Sequence, residues 1–232
     1  MATTKKTSSS ETPAPLPKPL PRDKVAQIYA RLAAADPDPK TELHYTNAYT
    51  LLVAVLLSAQ STDKGVNKAT RALFKVADSP QKMLALGEDG LRGYIKTIGL
   101  YPTKAKHIIT MSRQLVEKFG GKVPDDRAAL ESLAGVGRKT ANVVLNVIFC
   151  KPVIAVDTHI FRVANRTRMA PGRTPLEVEK GLLAVTPPKY ILHAHNWLIL
   201  LGRYTCLARK PRCWLCPIAD LCPWEDKTPA PE

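Results

Sequence analysis

Cys206, Cys213, Cys216 and Cys222 stand near the end of the chain with six, two and five residues between them. Four thiolates can hold either zinc or an iron–sulfur cluster. Structural zinc sites usually gather two close cysteine pairs, and only Cys213 and Cys216 form such a pair. The fifth cysteine, Cys150, closes the apolar stretch 143–149 and reads as a small buried hydrophobe. The N-terminus carries lysines but no apolar leader, so a reducing compartment fits these cysteines better than a disulfide framework.

A second constellation lies upstream. Gly135-Val136-Gly137 is followed at once by Arg138 and Lys139. Two glycines at a tight turn permit positive φ and close approach by a phosphate. The free N–H groups opening the next helix supply donors and a positive dipole end. Asp125 or Asp126 caps the helix before the turn, and Ala141, Val144, Leu145 and Ile148 form one face of the helix after it. The pattern predicts a helix-hairpin-helix, which grips DNA by its backbone without reading sequence.

Lys139 lies one turn into that second helix. An ordinary lysine is protonated at neutral pH and does no more than contact phosphate. Partial burial beside Arg138 and a helix N-terminus would lower its pKa and free an amine for Schiff-base chemistry. Asp157 ends the apolar run 153–156, where the ordinary role of an acid is to cap the next helix. Held near a developing sugar cation, the same carboxylate would stabilise that charge and relay protons. His159 reads as structural or as a phosphate contact. His193 and His195 are two apart on a helix and face different ways, so they suggest no metal site.

The elements that must position these groups are helical. Val25, Ile28, Tyr29 and Leu32 repeat at helical spacing before the Asp36-Pro37-Asp38-Pro39 break. Thr46 or Asn47 can cap a helix that is apolar nearly all round and therefore central. Pro80, Pro102 and Pro124 read as inter-helix loops, 105–119 reads as helix, and 153–156 is too short to found a sheet. The expectation is an all-α fold. Residues 1–22 read as a disordered Pro-rich tail, with proline at every second position from 13 to 21.

Charge points to the partner. The chain has 34 Lys+Arg against 20 Asp+Glu, a net +14, of which the first 24 residues (five basic, two acidic) hold +3, leaving +11 on the body. Such a surplus suits a polyanion. The apolar run 48–59 is too short to span a bilayer, and no stretch reads as a lipid-facing amphipathic helix, so a membrane partner is not expected.

The phrase 133–145, followed by Val156-Asp157-Thr158-His159-Ile160 and the four-cysteine tail, closely resembles bacterial endonuclease III, a family of DNA glycosylase/AP lyases. The resemblance covers roughly residues 24–224. It implies two helical lobes with a DNA groove between them. One is a six-helix barrel at 41–151 containing the hairpin. The other is an iron–sulfur cluster domain at 152–224, packed with an N-terminal helix at 23–40, and 225–232 is a C-terminal tail. It also implies excision of oxidised pyrimidines, with Lys139 attacking C1′, expelling the base and forming a Schiff base whose β-elimination nicks the strand 3′ to the lesion. Asp157 would assist.

By the same resemblance Gln60 fills the hole left by the flipped nucleotide and Leu100 wedges into the opposite strand. Taken alone, these are a loop amide and a leucine folded onto the core. The cysteine spacing is similar to the family's [4Fe-4S] loop, which would present Lys210 and Arg212, with Arg209, to DNA phosphates. The implied partner is double-stranded DNA with damaged bases or abasic sites, met by a monomer in the bacterial cytoplasm at the nucleoid. Ala134 departs from the family's usual proline. A monofunctional adenine glycosylase is opposed by Lys139 and by the short stretch after Cys222. A non-catalytic iron–sulfur DNA-binding module is the rival from another class.

Overall fold

In the computed structural model, which describes residues 15–231, Asn47 and Thr50 close a reciprocal capping box that starts α2 (Ala48–Ser58). Every residue from Tyr49 to Leu57 on this helix is buried. A helix apolar on all faces must be surrounded, and α3 (Asp63–Val76), α4 (Pro80–Ile95), α5 (Tyr101–Phe119), α6 (Arg127–Glu131) and α7 (Arg138–Val147) surround it. Pro80 and Pro102, expected in loops, instead occupy the first turns of α4 and α5. A missing N–H costs nothing at that position, because it has no helical partner anyway. Gly87, at φ 74° and ψ 170°, breaks α4 into two segments.

A second core lies beside the first. It joins α1 (Arg22–Ala35) to α8 (Thr158–Arg166), α9 (Pro175–Val185) and α10 (Ile191–Tyr204). Val25, Ile28, Tyr29 and Leu32 sink completely or nearly so into this core, as their spacing predicts. Thr186 donates to the Tyr29 hydroxyl at 2.9 Å, and the Trp197 indole donates to the Asp36 carbonyl at 2.8 Å. These bonds satisfy the polar tips of large buried rings. The fold is all-α in two helical lobes, and no strand occurs among the described residues. The β-like run 153–156 is a buried extended link between the lobes, held by side-chain amides of Asn142 on the Ile154 carbonyl (3.1 Å) and of Asn146 on the Val153 carbonyl (3.3 Å).

Both tails engage the second lobe more than their composition suggests. Residues 1–14 of the Pro-rich tail lie outside the described residues. Further along, Leu20 donates its N–H to the Arg168 carbonyl at 2.8 Å and packs on the second core, so ordered chain begins before residue 22. At the other end Glu225 pairs with Arg168, and the Thr228 hydroxyl bonds the Pro211 carbonyl. Cys150, expected to be buried, is exposed at φ 50° in the turn after α7. The apolar run ends one residue too early to carry it into the core.

Candidate active site

Asp126 caps α6 by accepting from the Ala129 amide at 2.9 Å, and the turn 132–137 reverses the chain into α7. Gly135 alone in that turn has positive φ, at 76°. A Cβ there would also sit 2.9 Å from His107 Cβ and Nδ1, so conformation and space both demand glycine. Gly137 differs from the expectation. Its φ of −98° is open to any residue, and nothing lies within 4 Å of where its Cβ would be. The lack of a side chain there leaves the start of α7 bare, and no side chain caps it. Val136 turns its own side chain into the first core, so only its backbone faces outward.

Arg138 is committed elsewhere. Its guanidinium makes a two-pronged contact with Glu179 of α9, at 2.9 and 2.8 Å, and Glu179 is buried. The pair crosses from the first lobe to the second. Lys139, the next residue, turns into the space between the lobes. Burial pushes its pKa down, Asp157 pulls it back up, and Arg203 pushes it down again. The cation acting on Lys139 is therefore Arg203 and not Arg138. Arg203, on α10, is clamped by Glu42 and Asp63, each at 2.5 Å.

Asp157 performs the ordinary one of the two roles weighed for it. Its Oδ1 accepts from the His159 and Ile160 amides, both at 2.9 Å, and so caps α8. The same carboxylate still acts on Lys139 by charge. Lys139, Asp63, His195 and Arg203 line one small pocket. His195 is fully enclosed by protein, and burial, Lys139 and Arg203 hold its pKa down at about 4, so it is neutral at neutral pH. Its Nδ1 has no hydrogen-bond partner among the described residues. Through Glu42, Asp63 and Arg203 the pocket shares walls with an open cleft of about 630 Å³ that also touches Ser61, His159 and Tyr204. His159 lies half-buried at that cleft, its Nδ1 3.3 Å from Arg162.

Two turn residues stand out by conformation. Gln60, between α2 and α3, has φ 56°, and Leu100, immediately before α5, has φ 58°. Both side chains are exposed, Leu100 to 61%. A leucine folded onto the core is not what the structure contains. Left-handed backbone at a non-glycine residue is strained and tends to persist where function uses it.

The four cysteines line one apolar pocket together with Leu201, Ile218 and Trp224. Burial, opposed by a backbone hydrogen bond at Ile218 and reinforced by the neighbouring thiols, pushes Cys216 up to about 11, and burial raises Cys222 as well. Thiols so disposed keep their protons until a metal displaces them. Among the described residues no three side chains converge as ligands of a single ion. The four cysteines share one pocket, which suits a cluster cofactor held by four thiolates. Arg166 lies 3.5 Å from the Cys206 sulfur, bonds the Leu207 and Ala208 carbonyls and stacks 4.0 Å over Trp224. Arg209, Lys210 and Arg212 are exposed on the loop between the first two ligands.

Sequence reasoning missed Arg203, Asp63, Glu42, Glu179 and His195. Nothing local marks an arginine that meets its carboxylates 140 and 161 residues away.

A helical scaffold with a glycine hairpin, a buried amine and a cysteine pocket defines a class of DNA-processing proteins. Residues 53–188 match the HhH-GPD superfamily base excision DNA repair protein, which makes this chain a DNA glycosylase of base excision repair. Residues 206–222 match the iron–sulfur binding domain of endonuclease III, and the expected [4Fe-4S] cluster is the cofactor of that loop. The chain is 61% identical to endonuclease III of Treponema pallidum over 198 residues, covering 85% of this chain and 94% of that protein. It is 58% identical to the Haemophilus influenzae endonuclease III over 206 residues, covering 89% and 98%. A solved structure of a trapped endonuclease III–DNA covalent intermediate superposes with a TM-score of 0.83 at 41% identity, covering 88% of this chain and 96% of that one. The chain belongs to the endonuclease III family.

Proposed function

We propose that this DNA glycosylase is bifunctional, excising oxidised pyrimidines through Lys139 and then nicking the strand as an AP lyase. One observation carries the reading. Lys139 is an amine whose pKa is lowered by burial, in the field of Asp157, beside a cleft with room for an extruded nucleoside.

The neutral amine attacks C1′ and the base departs with the bonding electrons. Ring opening gives a Schiff base between Lys139 and C1′. Loss of a C2′ proton then expels the 3′ phosphate by β-elimination. Asp157 stabilises the cationic sugar and takes part in the proton transfers, while its cap bonds fix its direction. The bare start of α7 and the Gly135-Val136-Gly137 backbone hold a phosphate, so that Arg138 contributes its N–H while its side chain stays with Glu179. Gln60 enters the hole in the stack and Leu100 parts the opposite strand, which suits their exposure and fixed turns. His159 lines the cleft, and Lys210 and Arg212 meet phosphates from the cluster loop.

The substrate is double-stranded DNA with damaged bases or abasic sites, met by a monomer in the cytoplasm at the nucleoid. No helix among the described residues is long and apolar enough to cross a membrane. That a relative was solved as a trapped covalent complex with DNA supports an enzyme-linked step. Borohydride reduction with abasic-site duplex is the test. A stable protein–DNA adduct is the expected result, and no adduct under any condition, from protein that still releases the base from a lesion-containing duplex, would make the chain monofunctional.

A further inference from the structure

Lys104 is the fourth residue of α5, is 5% exposed, and is used by nothing described above. Its ammonium has three N–H groups and three acceptors. These are the Leu57 carbonyl at 2.9 Å, the Ala59 carbonyl at 2.6 Å and the Ser61 hydroxyl at 3.3 Å. Ala59 and Ser61 flank Gln60 on either side. The Lys104 amide in turn donates to the Leu100 carbonyl at 3.1 Å. One residue thus grips the turn that carries Gln60 and closes the turn that carries Leu100. The two turns also abut, since a Cβ on Gly99 would lie 3.7 Å from the Gln60 carbonyl.

Among the described residues no carboxylate forms an ion pair with Lys104, and burial lowers its pKa. A buried cation without a counter-ion is costly, so its environment must repay it with well-made hydrogen bonds. Here two of the three acceptors, the Leu57 and Ala59 carbonyls, are main-chain groups at the end of α2, which carry the negative end of the helix dipole. Packing alone needs no charge at this place, and a methionine would fill the same space. What the ammonium adds is direction, because two bonds to backbone and one to the Ser61 hydroxyl fix the chain around a residue in left-handed conformation.

We propose that Lys104 is a positioning residue that locks the Gln60 and Leu100 turns into one rigid two-pronged unit for opening the base stack, an inference that rests on the roles proposed for those two side chains. A prong that yields on contact cannot hold a nucleotide out of the helix. The lock therefore matters when a base must leave the stack, and much less when the base is already gone.

The test compares Lys104→Met, Gln60→Ala and the double variant in two single-turnover assays with the full-length protein. One follows excision of an oxidised pyrimidine paired in duplex, and the other follows nicking at a pre-formed abasic site in the same duplex. Lys104→Met should lower the ratio of excision to nicking by about tenfold or more, since extrusion has an appreciable free-energy cost. The double variant should be little worse than Gln60→Ala, because both changes disable one unit. Ser61→Ala removes one acceptor and no charge, and should lower the same ratio by a smaller factor even if Lys104→Met folds poorly. If Gln60→Ala leaves the ratio unchanged, the hole-filling role falls and the lock with it. If Gln60→Ala lowers the ratio but Lys104→Met and Ser61→Ala do not, the lock alone is overturned. Equal losses in both assays would also overturn it, marking Lys104 as a general stabiliser.

Discussion

In the first lobe the hairpin and Lys139 project from helices rooted in a core whose buried side chains run from Leu43 to Ala155. In the second lobe the cysteine loop adds only Ile218 to the fully buried part of the core, among the described residues. The first lobe holds its functional groups by packing. The second holds its loop by side-chain bonds from Arg166 and by the cofactor. On the roles proposed above, the division is one of support. The hairpin and Lys139 stand on packed helices, α8 of the second lobe brings Asp157 to the same site, and the cations of the cysteine loop form a surface that depends on its cluster. Arg138–Glu179 and Arg203–Glu42 tie the two lobes together.

The sharpest way to break that division is Lys139→Ala. Covalent trapping on abasic-site DNA should vanish, while binding to intact or abasic duplex changes by no more than a few-fold, since Arg212, Lys210 and the hairpin backbone remain. Trapping at wild-type yield would move the amine to another residue.

Asp157→Asn comes next. Asparagine caps a helix as well as aspartate does, so α8 should stay and only the charge is removed. Loss of the charge should slow single-turnover excision by about 10²–10⁴-fold, the usual range for a positioned acid–base group. The pH dependence gives an independent reading. Asp157 raises the Lys139 pKa, so its removal lowers that pKa further. The neutral amine is the nucleophile, and its acid limb should therefore shift to lower pH even as the plateau falls. A limb that stays in place would mean that Asp157 does not act on Lys139 by charge.

Cofactor removal probes the other lobe. Stripping the iron should expose amides over 206–222 to hydrogen exchange, while α2 and α5 keep their protection because their core does not touch the cluster pocket. Loss of protection in both lobes at once would show that the cluster supports the whole molecule.

What the sequence revealed follows the same line. Local periodicity exposed α1 and the helix after the hairpin, because burial of one face leaves a repeat in the chain, and an apolar run with a cap exposed α2. The hairpin and the cysteine spacing were legible for a similar reason, since each is closed within a few residues. Arg203 reaching Asp63 and Glu42, Glu179 capturing Arg138 and the cradle around Lys104 leave no such trace. Their partners are brought together only by the folded pair of lobes, and a lone arginine or lysine looks the same wherever it points. Pro80 and Pro102 misled for a different reason. Proline marks a helix start as readily as a loop, and a local signal cannot tell the two apart without the helix that follows.

The smallest effect is the most direct measure of grip. Lys210, at φ 47°, and Arg212 are exposed on the stretch between Cys206 and Cys213, with Pro211 between them. The Arg212 amide donates to the Thr205 carbonyl at 2.8 Å, and the Thr228 hydroxyl bonds the Pro211 carbonyl, so the backbone beneath both cations is fixed. Cations on a fixed backbone lose little freedom when they meet phosphate. Each phosphate neutralised contributes about −0.9 to the slope of log K against log salt. Changing Lys210 and Arg212 together to glutamine should therefore flatten that slope by roughly one to two units. The single-turnover rate at saturating enzyme should hold, because neither side chain lines the pocket at Lys139 or the cleft beside it. If the slope holds and the cluster is intact, the cations are only solvated charge and the second lobe's grip lies elsewhere. If the chemical rate falls instead, the cysteine loop and the site at Lys139 are not supported separately.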